Sequence, residues 1–213
     1  SPAVRITPEK ETERDRLLNC DEIRAVWSAF DQLGYPFGPL FKLLLVTGQR
    51  RGEVAVMRWS EIEGDNWRLP GSRAKSGSGH LIPLSPLALQ ILDGLPRVGK
   101  HVFSSDRASE KSNGKETDKP VNGFAKAKRL CDKGGQVTDW HLHDMRRTVA
   151  TNMRELGVDR LIVSKVLNHA ESGITKVYDR YAADPEKRRA LERWARRLET
   201  IVQPESAGEV VNL

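Results

Sequence analysis

The sequence predicts an α+β fold, mainly α-helical, with a small antiparallel β-sheet. Three observations predict it. Apolar residues recur at helical spacing in most segments, as Ile23, Val26, Trp27 and Phe30 do early in the chain and Leu191, Trp194, Ala195 and Leu198 do late in it. Before the tail, strand character is confined to two short stretches, SEIEGDNWRLP and HLIPLS, around turns at Gly64-Asp65 and across Ser72 to Gly79. At 213 residues the chain is long enough to bury a sizeable core without disulfides or metal.

The elements follow in order. The opening SPAVRITPEKETERDRLLN is polar and charged, carries Pro2 and Pro8, and starts without methionine. Residues 1–18 are therefore expected to be an interdomain linker or arm, and the chain a piece of a longer protein. Asn19 with Glu22 has the form of a capping box and predicts a helix to about Leu33, ended by Gly34. FGPLFKLLLVTG, within Pro36 to Gly48, reads as a buried helix closed by glycine. A short helix is expected over Glu53 to Trp59, with Arg50 in the tight turn before it. The two strand stretches enclose a Ser/Gly-rich hairpin loop that carries Lys75. Ser85-Pro86 starts a helix to about Asp93, because serine caps and proline suits the first helical turn.

Ser104 to Lys119 lacks apolar periodicity and reads as a surface loop. A helix over about Asn122 to Asp132 follows, decorated by Lys126, Lys128 and Arg129, with a break expected at Gly134-Gly135. In HLHDMRRTVATNMRELG, Met145, Val149 and Met153 recur at helical spacing, and Asp159 to Leu167 is a further helix. The last helix, about Pro185 to Val202, pairs one apolar face with dense arginines and glutamates. Residues 203–213 form a tail ending in GEVVNL. One domain is expected over 19–202.

Lys and Arg outnumber Asp and Glu by 35 to 29, for a net charge of +6 and a pI near 9.4, a balance that favours a polyanionic partner. Cys20 and Cys131 match no metal-ligand spacing and fit free thiols in a reducing cytosol. The sequence has no apolar run long enough to span a bilayer and no signal-peptide pattern, so a cytoplasmic protein is expected, without membrane, metal or cofactor.

Taken singly, the polar residues of interest have ordinary readings. An arginine such as Arg50 more often caps a helix or pairs at the surface, and a lysine in a Gly/Ser loop is usually solvated. His143 suits a helix cap, His169 a satisfied histidine near a helix end, and Tyr178 a core aromatic with its hydroxyl at the surface. Their joint occurrence is what carries weight. Arg50 in TGQRRGE, Lys75 in AKSGSGH, His143 and Arg146 in HDMRR, His169 in LNH and Tyr178 in ITKVYDRY stand in the order and context of the tyrosine recombinases, or phage integrases, which the chain resembles from about Asn19 to Val202. TG-x-R-x-x-E, H-x-x-R, L-x-H and a downstream tyrosine would rarely co-occur by chance, whereas H-x-x-R alone means almost nothing.

The resemblance implies the catalytic fold of that family and a DNA breaking and rejoining activity without ATP or metal. It implies Tyr178 as nucleophile, forming a 3′-phosphotyrosyl link, and Arg50 and Arg146 as a clamp on the non-bridging phosphate oxygens, which suits guanidinium forks. Lys75 resembles the general acid for the leaving 5′ oxygen, and His143 the partner of tyrosine and phosphate. His169 resembles the second histidine on the phosphate, and Glu53 the acid that buttresses the site. Tyr181 is a rival nucleophile off the family pattern. Arg147, Lys126, Lys128 and Arg129 are expected at the DNA.

The partners implied are double-stranded DNA, a homo-tetramer on paired sites from a chain that is monomeric when free, and DNA-bending or excision accessory proteins. The tail is expected to dock on a neighbouring protomer. Asn168 stands where glycine is commoner, and Ala170 and Glu171 replace small hydroxyl residues; neither removes a reacting group. Two other classes use the same features. One is a type IB topoisomerase, which reseals the original strand. The other is a non-catalytic DNA-binding accessory protein, against which an intact set of reacting residues argues.

Overall fold

The computed structural model describes residues 15–97, 99–105, 119–169 and 183–203. Helix α1 (Cys20–Leu33) starts at the expected capping box. Asn19 Oδ1 accepts from the Glu22 N–H at 2.9 Å, and Glu22 Oε2 accepts from the Asn19 N–H at 3.0 Å. Helix α2 (Phe37–Thr47) is buried over most of its length. A β-carbon at Gly38 would lie 2.2 Å from the Phe30 carbonyl oxygen, so glycine is what lets α1 and α2 approach so closely. Gly48, with φ +66°, closes α2 in the left-handed conformation and donates its N–H to Leu44 O.

Helix α3 is only Arg51–Ala55, shorter than the expected Glu53 to Trp59, and a 3₁₀ turn at Trp59–Glu61 follows it. Strands β1 (Ile62–Glu63), β2 (Asn66–Leu69) and β3 (His80–Pro83) form an antiparallel sheet in that order, with Trp67 opposite Ile82 and Leu69 opposite His80. The hairpin between β2 and β3 carries Lys75. Ser85 caps helix α4 (Pro86–Asp93), its Oγ accepting from the Ala88 N–H.

Helices α5 (Phe124–Gly135), α6 (Leu142–Glu155), α7 (Arg160–Val166) and α8 (Asp184–Val202) complete the described body. The apolar α2 lies at its centre, packed by α1, α4, α6 and α8. Phe30 and Phe41 meet edge to face at 5.5 Å, and Trp194 donates its indole N–H to Leu45 O at 2.8 Å. Each such buried side chain stabilises the fold by roughly 2–3 kcal/mol. Cys20 is exposed and Cys131 buried, both as free thiols, and burial pushes the Cys131 thiol up to about 12. Among the described residues no helix is long and apolar enough to cross a membrane.

Two further sequence-based expectations change. Helix α5 runs through Gly134-Gly135, where a break was expected. A β-carbon at Gly135 would lie 3.2 Å from Ala25 O, so these glycines serve the close packing of α5 on α1. Residues 15–18, expected to belong to the arm, are packed onto α6. Leu18 is buried and its N–H donates to Thr148 Oγ1 at 2.9 Å, while Arg16 reaches Asp139 O and pairs with Glu22. The rest of the arm, most of the expected loop before α5 (106–118) and the tail from 204 lie outside the described residues.

Candidate active site

The turn from α2 to α3 holds Gln49 and Arg50. Arg50 is the N-cap of α3, and Glu53, buried within that helix, accepts from the Arg50 N–H at 3.4 Å and meets its guanidinium at 3.4 Å. The same carboxylate accepts from the Lys75 backbone N–H at 3.1 Å. One buried acid therefore sets the positions of both Arg50 and the hairpin that carries Lys75.

Arg146, on α6, is 5% exposed. It donates from Nη1 to Gly48 O at 2.8 Å and from Nη2 to Leu167 O, while Arg50 Nη2 donates to Asn168 O at 3.3 Å. Burial, with the Arg50 charge adding to it and Glu53 opposing, lowers the Arg146 pKa to about 10, so it stays charged at neutral pH. Two guanidiniums from different elements thus converge on the residues that follow α7.

The start of α6 is held by Asp144, fully buried, which accepts from the His141 N–H at 2.8 Å and pairs with Arg147 at 2.9 Å. From that first turn His143 faces the cleft. Partial burial, then Arg147, Arg146 and Arg50, push His143 below the ordinary histidine range, with Asp144 opposing. His169 is lowered by partial burial first, then by Arg146, Arg50 and His143. Both rings therefore favour the neutral form at pH 7. A cleft of about 840 Å³ is lined by Arg50, Glu53, Lys75, Lys128, His143 and Arg146, among others. Among the described residues no group of three or more His, Cys, Asp or Glu has the arrangement to hold a metal ion.

The sequence-predicted DNA residues do not form one patch. Lys128 lines the cleft, paired with Asp132 and 3.9 Å from the Trp140 ring centroid, but Lys126 lines a separate groove with Phe37 and Leu130. Residues two positions apart on an α-helix are separated by about 200° around its axis, so α5 turns these lysines to different faces. Arg129 is exposed, and Arg147 is committed to Asp144. Tyr178 and its rival Tyr181 lie outside the described residues; the chain leaves the description after His169 and re-enters it at Ala183.

Sequence reasoning missed Gln49, Arg51, Arg73 and His141 as cleft residues, and the buried Asp144 and His80 near it. The capping-box spacing of His141 and Asp144 was a readable signal for Asp144. The others carry no local signature. Arg51 sits with its guanidinium carbon 5.0 Å from the Phe124 ring centroid, a contact between residues distant in sequence.

His80, at the foot of the Lys75 hairpin, donates from Nε2 to Val166 O at 3.0 Å. Burial pushes its pKa down to about 4; Lys187 and Arg146 add to this, while the Val166 bond and Asp184 oppose it. Because the folded pKa lies below the unfolded value near 6.5, the unfolded chain binds the proton more readily. His80 contributes its full stability above about pH 6.5, and this is lost as pH falls toward about 4, on the order of 3 kcal/mol in all. Urea unfolding followed from pH 7 to pH 4.5 is expected to give a steeper loss for wild type than for His80→Gln. Parallel pH profiles would refute the assignment.

The model of the phage integrase family matches residues 16–184. Prophage integrase IntF of Escherichia coli K12 is 24% identical over 98% of this chain and 43% of its own length. The chain spans about two fifths of the length of the first curated relatives it matches. Its fold is that of a lambda integrase dimer bound to a COC′ core site, with a TM-score of 0.58 and 19% identity over 79% of this chain and 49% of that one. A lambda integrase tetramer bound to a Holliday junction gives a TM-score of 0.58 and 19% identity, over 78% of this chain and 50% of that one.

Proposed function

The chain belongs to the phage integrase family, and from that premise we propose that it is the catalytic domain of a site-specific DNA recombinase, acting through a 3′-phosphotyrosyl intermediate to integrate or excise a mobile element. The observation that carries this reading is the convergence of Arg50, Lys75, His143 and Arg146 on one cleft, with Glu53 joining Arg50 to the lysine hairpin. In this reading residues 19–202 are the catalytic domain, 1–18 lead into it with 15–18 packed against α6, and 203–213 are a docking tail.

The geometry suggests how the groups divide the work. Two guanidiniums held by backbone carbonyls and a buried carboxylate are preorganised donors for a phosphate whose non-bridging oxygens gain charge as it is attacked. Tyr178 Oη attacks phosphorus, the bond to the 5′ oxygen breaks, and Lys75 delivers a proton to that oxygen. Neutral His143 is suited to take the tyrosine proton, and neutral His169 to donate its ring N–H to the phosphate. The phosphotyrosyl bond keeps the energy of the diester. A 5′ hydroxyl from the original or another strand then attacks it, and the tyrosine leaves.

Double-stranded DNA is the proposed substrate and a homo-tetramer on paired sites the proposed assembly. The DNA-bound dimer and junction-bound tetramer of lambda integrase, proteins of this fold, support that reading. The test is covalent capture on a nicked suicide duplex that carries the element's junction, with chelator present and ATP absent. The expected result is an SDS-resistant complex. Trypsin separates the two tyrosines, leaving Tyr178 in Val177–Arg180 and Tyr181 in the next peptide, so mass spectrometry reads the linkage directly. DNA-bound chain that yields no covalent complex would overturn the proposal.

A further inference from the structure

Two buried polar side chains, His80 and Lys187, have no part in the chemistry above. They are 8% and 3% exposed, and burying such groups is unfavourable unless they are bonded. A methionine at 187 would fill the same space without an ammonium to satisfy, so packing alone does not account for lysine there. What each one bonds is specific. His80 Nε2 donates to Val166 O, the last residue of α7, whose carbonyl has no partner within its own helix. Lys187 Nζ, in the first turn of α8, donates to Leu81 O at 2.7 Å and pairs with Asp184 at 2.7 Å. His80 and Leu81 are neighbours on β3, an edge strand of the sheet against which α8 packs.

These contacts share a topological consequence. Val166 lies just before residues 170–182 and Lys187 just after them, and that interval contains Tyr178. Both flanks of the interval are therefore fastened to adjacent residues of one strand. Two further contacts reinforce the arrangement: Gln49 Nε2 donates to the same Val166 carbonyl at 2.9 Å, and Arg188 pairs with Asp65 in the β1–β2 turn at 2.7 Å. Arg50 and Arg146 also reach this end of α7, at Asn168 O and Leu167 O, but in the proposed reaction they must serve the phosphate. The His80 and Lys187 contacts make no such demand on the phosphate clamp.

We propose that β3 is a frame for the nucleophile, with His80 and Lys187 as positioning residues that fix the two flanks of the Tyr178 segment against it. This rests on the reading of Tyr178 as nucleophile. Positioning residues act on attack and leave DNA affinity alone, because neither side chain lines the cleft.

The experiment measures single-turnover covalent capture at saturating DNA for wild type, Lys187→Met, Lys187→Arg, His80→Leu and His80→Gln. The Met and Leu variants are expected to form the adduct about 10- to 100-fold more slowly, with DNA affinity within about twofold of wild type. Arg and Gln, which keep a donor, restore most of the rate. A duplex with sulfur in place of the 5′ bridging oxygen separates the effect from the nearby Lys75 hairpin. Its leaving group needs no proton, so it relieves Lys75→Ala but not Lys187→Met. Wild-type rates in both Lys187→Met and His80→Leu, or relief of either by the sulfur substrate, would overturn the proposal. Where Lys187→Met unfolds at assay temperature, Lys187→Gln, a donor of shorter reach, takes its place: slower capture is expected, and an unchanged rate is equally fatal. Wild-type chain that forms no adduct overturns the recombinase reading and this proposal with it; adduct formed equally fast by all variants overturns this proposal alone.

Discussion

Tyr178→Phe is expected to reduce covalent capture to background, a loss of at least about 10⁴-fold, the scale on which removal of a covalent nucleophile acts. The substitution deletes one oxygen and keeps the ring, so folding and DNA binding should be unchanged, and unfolding curves and band shifts check that. The phosphate clamp and both histidines remain in Tyr178→Phe, yet none of them can form a phosphotyrosyl bond. Tyr181→Phe is the control, expected to capture DNA at close to the wild-type rate. An adduct that survives in Tyr178→Phe and vanishes in Tyr181→Phe would mean that the wrong tyrosine has been named.

The second large effect is expected at Arg146. Arg146→Lys keeps a positive charge but replaces a planar fork by a single ammonium, and the fork is what spans Gly48 O and Leu167 O while facing the cleft. Lysine cannot hold both carbonyls and a phosphate at once. The rate of adduct formation should fall about 100- to 1000-fold, the size reported by removal of one preorganised donor to a developing oxyanion. Stability should also fall, by roughly 1–3 kcal/mol, because a buried carbonyl loses its partner. The two effects separate by temperature: the catalytic deficit persists well below the unfolding transition. Capture within about threefold of wild type at that temperature would remove Arg146 from the phosphate clamp.

Much of this molecule was legible in the chain. The capping box at Asn19 and Glu22, the glycine after Thr47 and the proline after Ser85 are local devices, and each starts or ends a helix where it was read. The strands are legible for the same reason, since alternation and turn residues act over a few positions. Arg50, Glu53, Lys75, His143 and Arg146 could be named because their motifs are short and internally spaced. The Gly134-Gly135 pair was misread because the same residue serves two ends: glycine breaks helices in isolation but also permits close approach, and only the proximity of α1 decides between them.

The sequence by itself determined the mainly helical α+β class, the boundaries of most elements and several of the polar residues that line one cleft, because propensity, capping and motif spacing are properties of neighbouring residues. Only the tertiary structure decided that Glu53 serves both Arg50 and the Lys75 hairpin, that Lys126 and Lys128 face different ways, and that Arg147 belongs to Asp144. It alone revealed His80 and Lys187 fastening the flanks of 170–182 to one strand. The physical reason is that a buried donor is explained by its acceptor. For His80 and Lys187 that acceptor is a backbone carbonyl far along the chain, a group every residue carries and no sequence pattern marks.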